Sequence, residues 1–145
     1  MRINTRFTVA VHLMALLALK SSKGQTVTSE MLALSVGTNP VVVRQMISHL
    51  KKAGLITTRN GVPGAELTKK EEDISLLEIY QAVQKKSDAP LFDLHPNPNA
   101  TCVVGRNIGG ALEKPLQEAQ AAMERSLLEY SLKDITMYIC EKAHL

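Results

Sequence analysis

At 145 residues with 45% hydrophobic content, the chain is long enough for one packed domain with an extension, and this composition argues against a disordered protein. Aromatic residues make up only 3% and tryptophan is absent, which argues against a base-stacking platform for single strands. The net charge of +3 divides into +8 for residues 1–70 and −5 for residues 71–145. This split suggests a polyanion-binding half, although an unevenly charged solvated surface would give the same balance.

The first apolar run, FTVAVHLMALLAL, has to be distinguished from a signal peptide because Arg2 and Arg6 precede it. His12 interrupts the run, no small-residue cleavage pattern follows, and its length is too short to span a bilayer. We therefore interpret it as a buried first helix from about Thr5 to Leu19. The chain's two cysteines are too few for a disulfide framework and fit a reducing compartment, so we expect a cytoplasmic protein with no membrane association.

The next two helices carry clear start and stop signals. Thr28 is a predicted N-cap for a second helix, SEMLALSV, which should end at Gly37. Asn39 can accept a hydrogen bond at the start of a third helix, and Pro40 suits the first helical position because that position needs no N–H. Gly54 should end this third helix. Apolar residues recur along it at helical spacing and predict its inward face: Val43, Met46, Ile47 and Leu50.

The stretch LITTRNGVPGAEL predicts a β-hairpin. Two β-prone pieces, Leu55–Thr58 and Ala65–Thr68, flank an Asn60-Gly61 pair and a Pro63-Gly64 pair, and Asn-Gly is a strong hairpin signal. The order helix, helix, turn, helix, hairpin is typical of a winged helix-turn-helix. We therefore predict a mainly α fold with a small β-hairpin wing.

The second half begins with a fourth helix, SLLEIYQAVQ, where Ser75 and Glu78 have capping-box spacing. Residues 85–101 hold three prolines and predict a long irregular loop. The chain then divides into a winged helix-turn-helix domain at 1–84, the loop at 85–101, and a C-terminal region at 102–145.

A long helix is predicted from about Cys102 to Leu128, with a kink at Pro115. Ser131 and Asp134 can begin a last helix, LKDITMYICEK. The long helix carries a near-heptad apolar seam that predicts a dimer interface, with an intramolecular helix packed on its own core as the alternative. The seam comprises Val104, Ile108, Leu112, Leu116, Ala119, Met123 and Leu127.

The third helix has the division of labour that duplex recognition requires, because an apolar stripe holds it while its other flank offers donors and acceptors. Arg44 suits a bidentate contact with guanine, Gln45 suits adenine, and an exposed Val41 suits a thymine methyl group. The far-end residues Lys51 and Lys52 are better placed for phosphate.

Other residues extend this expected contact with double-stranded DNA. The start of the second helix, at Thr28 and Ser29, can offer backbone N–H groups to phosphate, and Arg59 on the hairpin can enter a narrow minor groove. The full set of candidate DNA-binding residues is Arg6, Thr28, Ser29, Asn39, Val41, Arg44, Gln45, His49, Lys51 and Arg59.

The chain resembles the Rrf2 family of bacterial winged-helix regulators over nearly its whole length. The resemblance is carried by MRINTRFTVAVHLMALLAL, VVVRQMISHLKKAGLITTRNGVPGAEL, ISLLEIYQAVQ and CVVGRNIGGAL, of which LKKAGLITTRNGVPG is the most specific part. It implies a homodimer joined through the long C-terminal helix, with each subunit reading half of a palindromic operator. The family often has Gly-Gly-Tyr where this chain has Gly64-Ala65-Glu66, and that glutamate weakens a phosphate contact at the tip of the wing.

Several relatives in the family hold an iron–sulfur cluster on three cysteines just before the long helix, where this chain has only Cys102. We therefore expect the subgroup without this motif, and neither cluster nor metal; His95 with Cys102 in a proline-rich segment is a weak metal signal. At the helix N-terminus, Cys102 can have a lowered pKa and is a candidate thiol redox sensor. An ordinary buried cysteine is the alternative.

Three functions follow from these features. The first is a homodimeric, sequence-specific transcriptional regulator, with repression the expected direction and an effector that the sequence does not identify. The second is a protein-interaction module that uses the winged fold without binding an operator. The third is a thiol enzyme built on Cys102, but the sequence pairs no histidine with it and has no catalytic-triad or metal-ligand spacing, so we expect no enzyme.

Overall fold

The computed structural model describes residues 5–84 and 91–145. These ranges form six α-helices and one two-stranded antiparallel hairpin, which confirms the predicted mainly α fold with a wing. The elements are α1 (Thr5–Ser21), α2 (Ser29–Val36), α3 (Pro40–Lys52), β1 (Ile56–Arg59), β2 (Val62–Leu67), α4 (Leu76–Val83), α5 (Val103–Leu128) and α6 (Leu132–Ala143). Within the described ranges, no helix combines the length and apolar composition that a membrane span requires.

Helix α1 lies at the centre of the molecule. Its apolar residues Ala10, Leu13, Met14 and Leu17 are completely buried, and the helix contacts α2, α3, α4, α6 and β2. A helix that is apolar on most sides has to be surrounded by other elements, so the predicted buried first helix is confirmed.

The predicted signals of α2 and α3 are also confirmed. The Thr28 Oγ1 accepts a hydrogen bond from the N–H of Met31 at 3.2 Å, and α2 ends at Gly37, whose φ is +80°. The Asn39 Oδ1 accepts from the N–H of Val42 at 3.0 Å and fixes where α3 begins. The inward side of α3 packs against the core through Val43, Met46, Ile47 and Leu50.

The hairpin forms, with strand bounds that differ from the predicted ones. Strand β2 begins at Val62, three residues earlier than predicted, because Arg59 pairs with Val62 across the Asn-Gly turn. Thr58 then pairs with Ala65, so Pro63-Gly64 is an irregular insertion within β2 and not a turn. At Gly64 the φ is +103°, a conformation that favours glycine.

Helices α4 and α6 begin with hydrogen-bonded serine caps. The Ser75 Oγ accepts from the N–H of Glu78, but the Glu78 carboxylate lies 2.7 Å from the Lys69 Nζ, so only half of the predicted capping box forms. At α6 both halves form between Ser131 and Asp134.

Helix α6 packs with the N-terminal helices. Leu132 is completely buried in the main core, and a short backbone bridge joins its N–H to the Ile74 carbonyl at 2.8 Å and the Leu76 N–H to the Tyr130 carbonyl at 2.9 Å. In contrast, none of the 26 described residues of α5 is fully buried. The helix continues through Pro115 without ending there.

The segment before α5 has neither helix nor strand over residues 91–101, as predicted, while the rest of the predicted loop, residues 85–90, lies outside the described residues. This segment runs back along α5: the Leu91 N–H donates to the Gln120 Oε1 at 3.0 Å, and Asn99 lies directly against Gly105. The close approach at Gly105 depends on the missing Cβ.

Candidate nucleic-acid interface

The outward flank of α3 is polar and open, as its sequence pattern predicted. The side chain of Arg44 is 59% exposed, and Val41 is 57% exposed although it is apolar. The remaining exposed side chains on α3 are Gln45, Ser48, Lys51 and Lys52. An unpaired valine among donors and acceptors is suited to contact with an apolar group on a base edge.

Arg44 has an acidic neighbour on the preceding helix. Its Nη2 lies 3.9 Å from the Oε1 of Glu30, and the Glu30 side chain is 71% exposed. Both charged ends are therefore largely in solvent, where such a pair contributes little to stability.

A cleft of about 270 Å³ separates the start of α2, the middle of α3 and the wing. Ser29, Arg44 and Val62 come from these three elements and line it together with Ile47, Thr58 and Gly64. The fold therefore brings three predicted contact elements, namely a helix start, the outward face of α3 and the hairpin, to one side of the basic half.

Arg6 and His49 lie side by side and join α1 to α3. The Arg6 Nη2 donates to the His49 Nε2 across 3.5 Å, and both side chains are half-buried. The two residues therefore flank the outward face of α3 near its C-terminal end, but they are engaged with each other in this conformation.

Lys51, predicted to contact phosphate, is engaged with the wing. Its Nζ donates to the Thr58 Oγ1 at 2.6 Å. Lys52 is exposed beside it. Arg59 is also exposed and lies directly before the Asn-Gly turn, and Val62, its partner across the turn, is 56% exposed. The tip of the wing thus presents a guanidinium next to an apolar side chain.

Two further candidates serve as caps. The side-chain oxygens of Thr28 and Asn39 already accept backbone hydrogen bonds within their own helices. Ser29, which follows Thr28, is half-buried at the first position of α2.

Cys102 is exposed in the single chain, which does not support the alternative of a buried cysteine. It occupies the N-cap position of α5, but its thiol does not accept a hydrogen bond of capping geometry. The backbone N–H groups of Gly105 and then Val104 nevertheless lower the pKa of its thiol below the ordinary value, because they stabilise the thiolate.

The seam of α5 is covered unevenly within one chain. Val104 is 64% exposed and Ala119 is exposed, while Leu127 packs against the main core. The other seam residues are half-buried: Ile108, Leu112, Leu116 and Met123.

Sequence reasoning missed two residues that contact predicted ones, Glu30 and Thr58. Glu30 had one signal, since only it and Glu66 are acidic among residues 1–70. Thr58 had none, because its contact with Lys51 depends on how the hairpin packs on α3.

No group of three or more potential metal ligands occurs in the part of the chain that the structure describes.

Comparison with known proteins agrees with the geometry of a nucleic-acid interface. A sequence profile of the Rrf2 family, described as an iron-dependent transcriptional regulator, matches residues 3–137. Over 137 residues the chain is 50% identical to YwnA of Bacillus subtilis (strain 168), which is named as an HTH-type transcriptional regulator. That match covers 94% of this chain and 98% of YwnA.

Solved structures share the architecture. A crystal structure of a protein described as DNA-binding is 46% identical, with a TM-score of 0.72, and the match covers 90% of this chain and 97% of that chain. CymR (YrzC), the global cysteine regulator of B. subtilis, is 17% identical with a TM-score of 0.67, over 95% of this chain and 98% of that one. The profile and the name of YwnA denote transcriptional regulators, which confirms the expectation that the chain is not an enzyme.

Proposed function

The chain belongs to the Rrf2 family of DNA-binding transcriptional regulators, and from that premise we propose that two copies of it read one palindromic operator, each through α3 and its wing. The observation that carries this proposal is the common side occupied by the outward flank of α3, the start of α2 and the hairpin. In a helix-turn-helix, the second helix of the pair enters the major groove. We therefore call α3 the recognition helix.

The side chains of the recognition helix are suited to different parts of a duplex. Arg44 and Gln45 carry paired donors and acceptors that match guanine and adenine, and Val41 offers a methyl surface to thymine. Arg59 at the wing tip is suited to an adjacent minor groove, where a narrow A·T-rich stretch concentrates negative potential. Lys52 is suited to phosphate, which gives affinity without sequence preference.

The dimer is supported by α5. None of the 26 residues of this helix is fully buried within one chain. The helix also begins with two large exposed apolar residues, Val103 at 62% and Val104 at 64%. Pairing with a second copy would remove this apolar surface from water, which is favourable. A two-fold dimer then presents two recognition helices about one helical turn apart on DNA. We expect a cytoplasmic repressor.

The effector acts on α5 in this proposal, through Cys102. An exposed thiol with a lowered pKa reacts readily with oxidants and electrophiles, and it lies where α5 begins. Modification there would change the start of the dimer helix and so the relative placement of the two recognition helices.

The residues of this chain do not fit an iron–sulfur cluster, although the family is described as iron-dependent. Such clusters are normally held by a full set of thiolates. The whole chain has two cysteines; Cys102 is exposed at the start of α5 and Cys140 lies in α6. We therefore propose regulation without a cluster.

A selection from random duplexes with the purified protein tests the proposed function. We expect enrichment of one palindromic sequence, a molecular mass of two chains by light scattering, and an affinity that falls steeply as salt rises. Val104→Glu should shift the mass toward one chain, whereas Glu113→Gln on the same exposed helix should leave it unchanged. A monomer, or a protein that enriches no sequence, would overturn the proposal and favour a protein-interaction module.

A further inference from the structure

Glu30 is one of the few acidic residues in the basic half of the chain. Residues 1–70 contain ten basic residues and only two acidic ones, Glu30 and Glu66. Glu30 lies in the first turn of α2, directly after Ser29, which lines the cleft between α2, the recognition helix and the wing. A carboxylate at this place repels phosphate and so weakens binding to every duplex. Its presence needs a reason other than affinity.

Stability does not supply that reason. The pair between Glu30 and Arg44 has a separation of 3.9 Å, and its side chains are 71% and 59% exposed. Ion pairs that are this exposed contribute little to folding. What the carboxylate does control is the environment of the guanidinium, because it is an acidic oxygen within ion-pair distance of the Arg44 Nη2.

An arginine on a recognition helix has two alternative partners in a duplex. It can bind a phosphate, which is the same for every sequence, or the O6 and N7 of guanine, which carry sequence information. The carboxylate of Glu30 disfavours a phosphate contact by Arg44, because a phosphate that approached the guanidinium would also approach this negative charge. It also restrains the guanidinium, since the two charged groups lie within ion-pair distance.

We propose that Glu30 is a specificity-determining residue, which directs Arg44 away from phosphates and toward base edges. This inference rests on the proposed function, since it requires that the recognition helix enters the major groove. It assigns to α2 a part in sequence discrimination in addition to its packing role. Specificity of this kind is achieved by penalising the wrong contacts as well as by favouring the right one.

The experiment compares Glu30→Gln with wild type on the selected operator and on unrelated duplexes over a range of salt. Loss of the carboxylate should strengthen binding to unrelated duplexes severalfold and reduce the ratio of specific to non-specific affinity about tenfold. The slope of log affinity against log salt on unrelated duplexes should steepen by about one unit, as expected for one additional phosphate contact. Glu30→Asp, which keeps the charge, should restore most of the ratio.

Two controls isolate the mechanism. Glu72→Gln removes the same charge from an exposed side chain, but Glu72 lies after the hairpin beside a different hollow lined by Ser21 and Lys69, and its ratio should equal that of wild type. In an Arg44→Ala background, Glu30→Gln should no longer change the ratio, because Glu30 acts through Arg44.

The outcomes separate this inference from the proposed function. If wild type selects an operator but Glu30→Gln changes all affinities by the same factor or leaves them unchanged, the role of Glu30 is wrong and the regulator assignment stands. An unaltered effect of Glu30→Gln in the Arg44→Ala background would also overturn it. If wild type selects no operator, the proposed function itself fails.

Discussion

The Nζ of Lys51, in the last turn of the recognition helix, lies 2.6 Å from the Oγ1 of Thr58 in β1. This hydrogen bond ties the end of the recognition helix to the wing. Thr58 directly precedes Arg59, so we expect this hydrogen bond to help fix the position of the Arg59 guanidinium at the tip of the wing. Lys51 therefore has a partner within the protein in addition to the phosphate contact that its position suggested.

Thr58→Val should weaken binding to operator DNA by about 0.5–1.5 kcal/mol, the net worth of one hydrogen bond, because the wing loses its tie to the recognition helix. The loss should be similar on all duplexes, since no base contact is removed. Fluorescence anisotropy with labelled duplexes measures it. Lys51→Ala should weaken binding at least as much. If Thr58→Val binds as tightly as wild type, the tie does not matter for DNA.

Arg44→Ala should cost about 1–3 kcal/mol on the selected operator and relax the preference at one base position, as expected for loss of a bidentate base contact. Competition assays with single-base variants of the operator give both quantities. Arg106→Ala, in α5, is the matched control and should leave operator affinity unchanged. Equal binding by Arg44→Ala and wild type would show that the recognition helix is assigned to the wrong surface.

Asn39→Ala should lower the free energy of unfolding by about 0.5–2 kcal/mol, because the Val42 N–H loses the acceptor that begins α3. Asn39→Asp keeps an acceptor and adds a negative charge at a helix N-terminus, so its stability should match wild type. The same charge faces DNA and should weaken binding. Urea unfolding and DNA titration of both variants separate the cap from the contact. Equal unfolding curves for Asn39→Ala and wild type would exclude the capping role.

The features of the recognition helix could be predicted because they depend on residues that are close in sequence. The cap at Asn39 involves Val42 three residues later, and the apolar stripe that includes Val43 and Leu50 follows the helical repeat. Each is set by local geometry, and each formed as expected.

The contacts between elements could not be predicted, because they depend on how separate parts of the chain pack. The pairing of Arg59 with Val62 placed Pro63-Gly64 within a strand, whereas a Pro-Gly pair alone equally suits a turn. The approach of Glu30 to Arg44 likewise requires the crossing of α2 and α3. Helix α6 packs against the main core through the buried Leu132. The sequence of α6 alone does not show whether the helix packs on the core or lies apart from it.

Gly105→Ala should destabilise the protein by about 1–3 kcal/mol, because a Cβ there would collide with the carbonyl oxygen of Asn99 and push the preceding segment off α5. Gly110→Ala is the control in the same helix. A Cβ at Gly110 meets nothing within 4 Å, so alanine should stabilise it by about 0.5–1 kcal/mol. Thermal unfolding of the two variants measures the difference. Changes of the same sign would contradict the packing of residues 91–101 on this helix.

The Cys102 thiol should react faster with a thiol probe at neutral pH than it does in the unfolded chain. The pKa of this thiol in the folded chain is lowered from the ordinary value of 9.0, most strongly by the Gly105 N–H. At neutral pH the folded chain therefore holds a larger fraction of thiolate than the unfolded chain. Ionisation therefore favours the folded state, and this contribution is present above the unfolded pKa and lost as pH falls through the folded one. Labelling rates of Cys140→Ser across pH, with and without urea, locate both midpoints. A folded midpoint at or above the unfolded one would remove the basis for a sensing role at the start of α5.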